Sequence, residues 1–142
     1  MKPKRINSVL FIVQLILFIG ISTSLDAQSR KERDSLGITE IISIEADYMD
    51  SNGKEHIEKI ERYNEDGRLI EVIDYDNDEK IKEHIQYEYE DGLLLKEIYF
   101  DHKDRLEKYF IYTYDEDGLL ISKKYFDAKD NIYRERKYQY KR

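Results

Sequence analysis

The chain of 142 residues contains no cysteine. That excludes a disulfide framework, thiolate metal ligation, a cysteine nucleophile and a lipid on an N-terminal cysteine. Its one proline, Pro3, sits near the start, so every later turn must rest on glycine, aspartate and asparagine. A basic excess is missing too. The chain has 24 Lys and Arg against 31 Asp and Glu, a net charge of −7, whereas nucleic-acid phosphates need a basic surface. Serines are sparse beyond residue 27 (Ser29, Ser35, Ser43, Ser51, Ser122), and none sits in a G-x-S-x-G elbow. There is no P-loop and no dinucleotide fingerprint. Carboxylates are too evenly spread for one pair to stand out as a glycosidase acid and nucleophile. The three histidines, His56, His84 and His102, share no zinc-ligand spacing. The residues therefore predict neither catalysis, nor a metal, nor a cofactor.

The one long apolar run is Val9 to Ile21, 13 residues broken by Gln14 and Gly20. Lys2, Lys4 and Arg5 precede it, and Ser22-Thr23-Ser24-Leu25-Asp26-Ala27 follow it. This is the order of a secretory signal, and the run falls short of the roughly 20 residues of a membrane-spanning helix. Residues 1–27 are expected to be a signal peptide, with cleavage after Ala27 preferred and Ser24 the second choice. The 115 residues that follow would carry −9. The expected destination is the periplasm or the exterior, without a lipid anchor or a stable membrane span.

What fills those 115 residues is one motif repeated. Tyr63, Tyr89, Tyr114 and Tyr140 are spaced by 26, 25 and 26 residues, and Gly67, Gly92 and Gly118 by 25 and 26. Leu69, Leu94 and Leu120 stand two residues after each glycine, and Tyr75, Phe100 and Phe126 are each followed by aspartate. Within a unit the period is 2: Ile85, Tyr87 and Tyr89 share one face, as do Phe110, Tyr112 and Tyr114. Such alternation marks half-buried strands. Asp66-Gly67, Asp91-Gly92, Asp117-Gly118 and Asn52-Gly53 predict tight hairpin turns. The acidic stretches from Asp76, Asp101 and Asp127 lack glycine and predict four-residue loops on a type I turn.

The expected fold is all-β, an antiparallel meander of about eight strands over 38–49, 54–63, 68–75, 81–89, 93–100, 106–114, 119–126 and 132–140. An open rolled sheet and a closed up-and-down barrel both fit. Leu93-Leu94-Leu95 and Leu119-Leu120-Ile121 are apolar on both faces and predict a sheet covered on both sides there. Residues 28–37 read as a flexible charged leader with room for one helical turn, and 38–142 as the repeat domain.

The stretch Tyr112-Thr113-Tyr114-Asp115-Glu116-Asp117-Gly118-Leu119-Leu120 resembles the tyrosine-aspartate (YD) repeat of the RHS family. Tyr87-Glu88-Tyr89-Glu90-Asp91-Gly92-Leu93 matches with one turn residue fewer. Tyr63-Asn64-Glu65-Asp66-Gly67-Arg68-Leu69 is a third copy with Glu61 in place of the first tyrosine, and Tyr138-Gln139-Tyr140 opens a fourth. The resemblance covers residues 48–142, and MORN-type repeats are the nearest family with which it could be confused. It implies a bacterial, exported β-hairpin array and brings carbohydrate binding with it as an option. Large RHS proteins wrap such hairpins into a shell around a toxin. With about four units this chain is too short for that role.

Recurrence separates structural from binding candidates. Tyr63, Tyr89, Tyr114 and Tyr140, with Gly67, Gly92 and Gly118, recur in register and are expected to serve folding. Tyr109 and Tyr133, together with Tyr99 and Tyr125, are the candidate ligand contacts. The acidic turns, for example Asp76, Asp78 and Glu79, lack the EF-hand spacing and are expected to be solvated rather than to bind calcium. Two functions compete: an exported, non-catalytic module binding a protein or glycan partner at the cell envelope, or an envelope protein that assembles through its own sheet edges.

Overall fold

Short turns and period-2 strands leave each strand little choice but to pair with its successor. In the computed structural model, which describes residues 30–49 and 53–141, they do so throughout. The expected signal over 1–27 and most of the Asn52-Gly53 turn lie outside the described residues. The strands are β1 (Glu40–Asp47), β2 (Lys54–Tyr63), β3 (Leu69–Tyr75), β4 (Ile81–Glu90), β5 (Leu93–Phe100), β6 (Leu106–Tyr114), β7 (Leu120–Asp127) and β8 (Ile132–Lys137). They form one antiparallel sheet in the order β1 to β8. The sheet is open, with β1 and β8 as its edges and, among the described residues, no closing β1–β8 ladder.

Both turn sets use the same device. Asn64 Oδ1 accepts the N–H groups of Asp66 and Arg68, and Asp115 Oδ1 those of Asp117 and Leu119. At the opposite end of the strands, Asp76, Asp101 and Asp127 accept from the residues two and four positions on. Each turn then closes with a residue of positive φ. At one end this is Gly67 or Gly118; at the other it is Glu79 (60°), Asp104 (59°) or Asp130 (64°), despite their side chains. The Asp91-Gly92 turn is one residue shorter, with positive φ at both central positions (48° and 79°), as a type I′ hairpin demands. The acidic residues that open the turns are therefore backbone caps. Asp101 is held well below the usual carboxylate range, chiefly by hydrogen bonds from the Arg105 side chain and then its backbone.

Every pairing contains one bulge, and the six after β1–β2 fall beside a repeat aromatic. Tyr63 pairs with Leu69 while Arg62 pairs with Glu71, leaving Ile70 extra. In the same way Leu95 is extra opposite Glu88 and Tyr89, Ile121 opposite Thr113 and Tyr114, and Tyr133 opposite Tyr125 and Phe126. This corrects the reading of the apolar triplets. A second cover would bury Leu93, Leu95 and Ile121, but they are 37%, 37% and 38% exposed. The triplets are apolar because the pleat slips by one residue within them. Among the described residues, backbone packing between strands runs only between neighbours, and side chains alone reach further. Tyr63, Val72, Ile85, Tyr112 and Tyr125 are the most buried hydrophobics among the described residues, where no side chain is fully enclosed.

The repeat tyrosines join one hairpin to the last. The hydroxyl of Tyr89 donates to the Leu69 carbonyl at 2.9 Å, that of Tyr114 to Leu94 at 2.8 Å and that of Tyr140 to Leu120 at 2.9 Å. Each bond reaches the repeat leucine of the preceding unit. Tyr63 opens the series. It is 6% exposed, and the Arg33 guanidinium lies 4.2 Å over its ring. Arg33 comes from a helix over 30–36 (α1), in the stretch read from sequence as a leader. This helix sits against the β2–β3 turn, where Arg30 Nε donates to the Asp66 carbonyl. A Cβ at Gly67 would lie 2.8 Å from the Arg30 carbonyl oxygen, so this glycine is required by crowding as well as by its φ of 68°.

β8 stops at Lys137, short of the expected 140. In β4 and β6 the final residues (87–90 and 112–114) pair only with the following strand, and no strand follows β8 among the described residues. Replacing Tyr114 by Phe keeps the ring and removes one hydrogen bond, so the thermal melt should show a loss of about 1 kcal/mol. Tyr140→Phe, at a position 54% exposed, should lose clearly less.

Candidate functional site

The register fixes what each face carries, because residues directly opposite one another point the same way. Glu97 pairs with Phe110 and Phe110 with Tyr125, while Tyr99 pairs with Lys108 and Tyr125 with Arg134. Tyr99, Phe110, Tyr125 and Tyr133 thus form a continuous aromatic row across β5 to β8. Successive ring centres are 4.9, 4.7 and 6.1 Å apart, all tilted. Three of the four candidate tyrosines are brought together here, with Tyr133 the most open at 54% exposure and Tyr125 buried at 9%.

Beside this row lies an ion pair that the sequence reading missed. Lys123 Nζ is 3.4 Å from Glu97 Oε2, and their side chains are only 17% and 14% exposed. Glu97 also accepts from the Tyr99 hydroxyl at 3.1 Å, and Lys123 donates to the hydroxyl of Tyr112. The ammonium stands 4.4 to 5.4 Å from the ring centres of Tyr112, Phe110 and Tyr125. Lys108 lies 5.0 Å over Tyr99, and the Arg134 guanidinium 5.4 Å over Tyr125. Burial, followed by the Glu97 carboxylate, pushes the Tyr87 hydroxyl up to about 12 and raises Tyr99 and Tyr112 as well. A signal was present: Val72, Glu97 and Lys123 each stand five residues after a repeat glycine. One face position changes from apolar to acidic to basic along the repeat, and the two charges meet over the strand between them.

The other face is organised by a lateral chain of charges. Glu40 of β1 accepts from Arg62 of β2 at 2.8 Å, and Arg62 also bonds Glu71 of β3. Glu71 accepts from Gln86 at 2.8 Å and meets His84 Nε2 at 2.9 Å, while His84 Nδ1 lies 2.6 Å from Asp104. Burial alone would raise Glu71, but the hydrogen bonds from Gln86, His84 and Arg62 outweigh it and hold the carboxyl below its ordinary range. His84 is 6% exposed and stacks on Phe100 at 4.5 Å.

Tyr109 is the counterpart of His84 one unit on, and it is placed alike. It stacks on Phe126 at 4.7 Å, and its hydroxyl donates to Asp130 at 2.8 Å. Tyr109 therefore lies on the opposite face from Tyr99, Tyr125 and Tyr133, inside a bracket that the repeat builds twice. The shared geometry of the two brackets clamps strand to turn. Among the described residues, no three His, Asp or Glu side chains are grouped to hold a metal ion. No protein-family model matches the chain, and no curated protein matches it.

Removing one member of the half-buried ion pair strands the other. Lys123→Met should cost about 2 kcal/mol, a figure discounted for partial exposure, whereas Glu97→Leu combined with Lys123→Met should cost less than the two single changes summed. A urea-melt double-mutant cycle measures the difference. The raised tyrosines set an alkaline limit. Their folded values lie above the value near 10 of a free tyrosine, so the folded state keeps protons that the unfolded chain releases. Stability should be complete below about pH 10 and fall as pH rises towards about 12, read from melts across that range.

Proposed function

We propose that this chain is an exported, non-catalytic β-repeat module that binds a protein partner at the cell envelope through the tyrosine face of β5 to β8. The observation that carries this reading is the row Tyr99–Phe110–Tyr125–Tyr133, continuous across four strands and flanked by Lys108 and Arg134. Tyrosine and arginine are enriched at protein-binding surfaces, and the cationic edge suits a partner segment that carries carboxylates. A glycan is the weaker fit. Sugar rings stack on open aromatic faces, and here the faces of Tyr99, Phe110 and Tyr125 already have cations over them. Support for export comes from the basic, apolar and small-residue order of residues 1–27, and among the described residues no helix is long and apolar enough to cross a membrane.

A photo-crosslinking residue at Tyr133 in producing cells tests the reading, with the same residue at Thr113, exposed on the opposite face, as its control. The expected result is a discrete adduct with a different protein from position 133, distinguished by its mass from an adduct between two copies of this chain, and none from 113. Equal adducts from both faces, or a carbohydrate-bearing smear from 133, would count against it.

A further inference from the structure

The open sheet leaves two edge strands of opposite charge. β1, Glu40 to Asp47, carries Glu40, Glu45 and Asp47 and no base, whereas β8 carries Arg134, Arg136 and Lys137 against Glu135. The asymmetry extends inward: residues 28–121 hold 27 acidic and 13 basic side chains, and residues 122–142 hold 3 acidic and 8 basic. All six residues of β8 are exposed, and on β1 Ile42 and Ile44 are 48% and 61% exposed.

We infer that β8 of one molecule pairs with β1 of a second copy, extending the sheet head to tail. This uses the two edges and needs no partner on the tyrosine face, although Tyr133 and Arg134 of β8 belong to both surfaces.

Hydrogen-bond phase supports the pairing. The carbonyls of Thr39 and Asp47 accept from Tyr63 and Gly53, so odd-numbered residues of β1 face β2. Glu40, Ile42, Ile44 and Ala46 therefore turn their backbone groups outward. On β8, Tyr138 donates to the Ile121 carbonyl, which leaves Glu135 and Lys137 turned outward. With eight strands alternating in direction, β1 of a following copy arrives antiparallel to β8. Setting Glu135 opposite Ala46 and Lys137 opposite Ile44 puts Arg134 opposite Asp47 and Arg136 opposite Glu45, both pairs on the same face. A shift of two residues either way keeps only one such pair. Continued past the strand ends, this register sets Tyr133 and Ile132 against Tyr48 and Met49, whose exposures of 81% and 95% are the highest among the exposed large hydrophobics. The same charges oppose the like pairings: β1 on β1 brings acids together, and β8 on β8 brings bases together. Because the contact joins two different surfaces, each added copy presents a free edge for the next.

Charge-swapped chains test the inference. One variant carries Arg134→Glu and Arg136→Glu, making both edges acidic. The other carries Glu45→Lys and Asp47→Lys, making both basic. Each is the full chain as its producing cell processes it, studied by sedimentation velocity. The natural protein should form a concentration-dependent series at about 0.1 M salt, where the screening length is about 10 Å, and lose it at about 1 M, where that length is about 3 Å. Each variant alone should remain monomeric, and mixing the two should restore association, which misfolded variants could not do. A natural protein monomeric at low salt overturns the inference, as does association unchanged in the single variants or a mixture that fails to associate.

Discussion

A sheet one layer thick has no interior in which to gather its side chains, so each hairpin must be bound to the next across the sheet's own faces. The bonds from Tyr89, Tyr114 and Tyr140 to the leucine carbonyl of the preceding unit meet that need. Each spans 20 residues, although the tyrosines themselves are 25 or 26 apart. Turns separate one tyrosine from the next, and a bulge lies beside Tyr89 and Tyr114. Without this link the strands would still alternate, but the units would be held only by ladder bonds and pairwise contacts of a few tenths of a kcal/mol each.

On this frame the two faces are specialised. One holds a chain of charges from Glu40 to Asp104 that crosses four strands and the β5–β6 turn. The other gathers aromatic rings around the Glu97–Lys123 pair, where low solvent exposure strengthens each electrostatic contact and makes an unpaired partner costly. In both cases charged groups take the place that a second layer of apolar residues fills in a sandwich. This accounts for a chain so rich in charge that still holds a single regular sheet.

Much of the strand layout was legible in advance. Tyrosine and glycine spacings, the period-2 runs and the acidic turns placed eight strands in meander order, each close to its observed bounds. The apolar triplets misled, because Leu95 and Ile121 are bulged, and in sequence a bulge inside an apolar run looks the same as a strand covered on both faces. Non-glycine residues at positive φ were equally silent: Glu79, Asp104 and Asp130 reveal their conformation only through the cap that holds them. Of the four candidate tyrosines, Tyr99, Tyr125 and Tyr133 converge, whereas Tyr109 goes to the far face with the phase of its strand.

The sequence by itself determined the strands, the turns and their order, because these depend on residues close along the chain and on a repeat that copies them. The tertiary structure decided that the sheet stays open, which charges meet, and which tyrosines share a face. Glu97 and Lys123 are 26 residues apart and belong to strands that do not pair. Their meeting depends on the summed register of two ladders and the slips within them, a quantity no local pattern encodes.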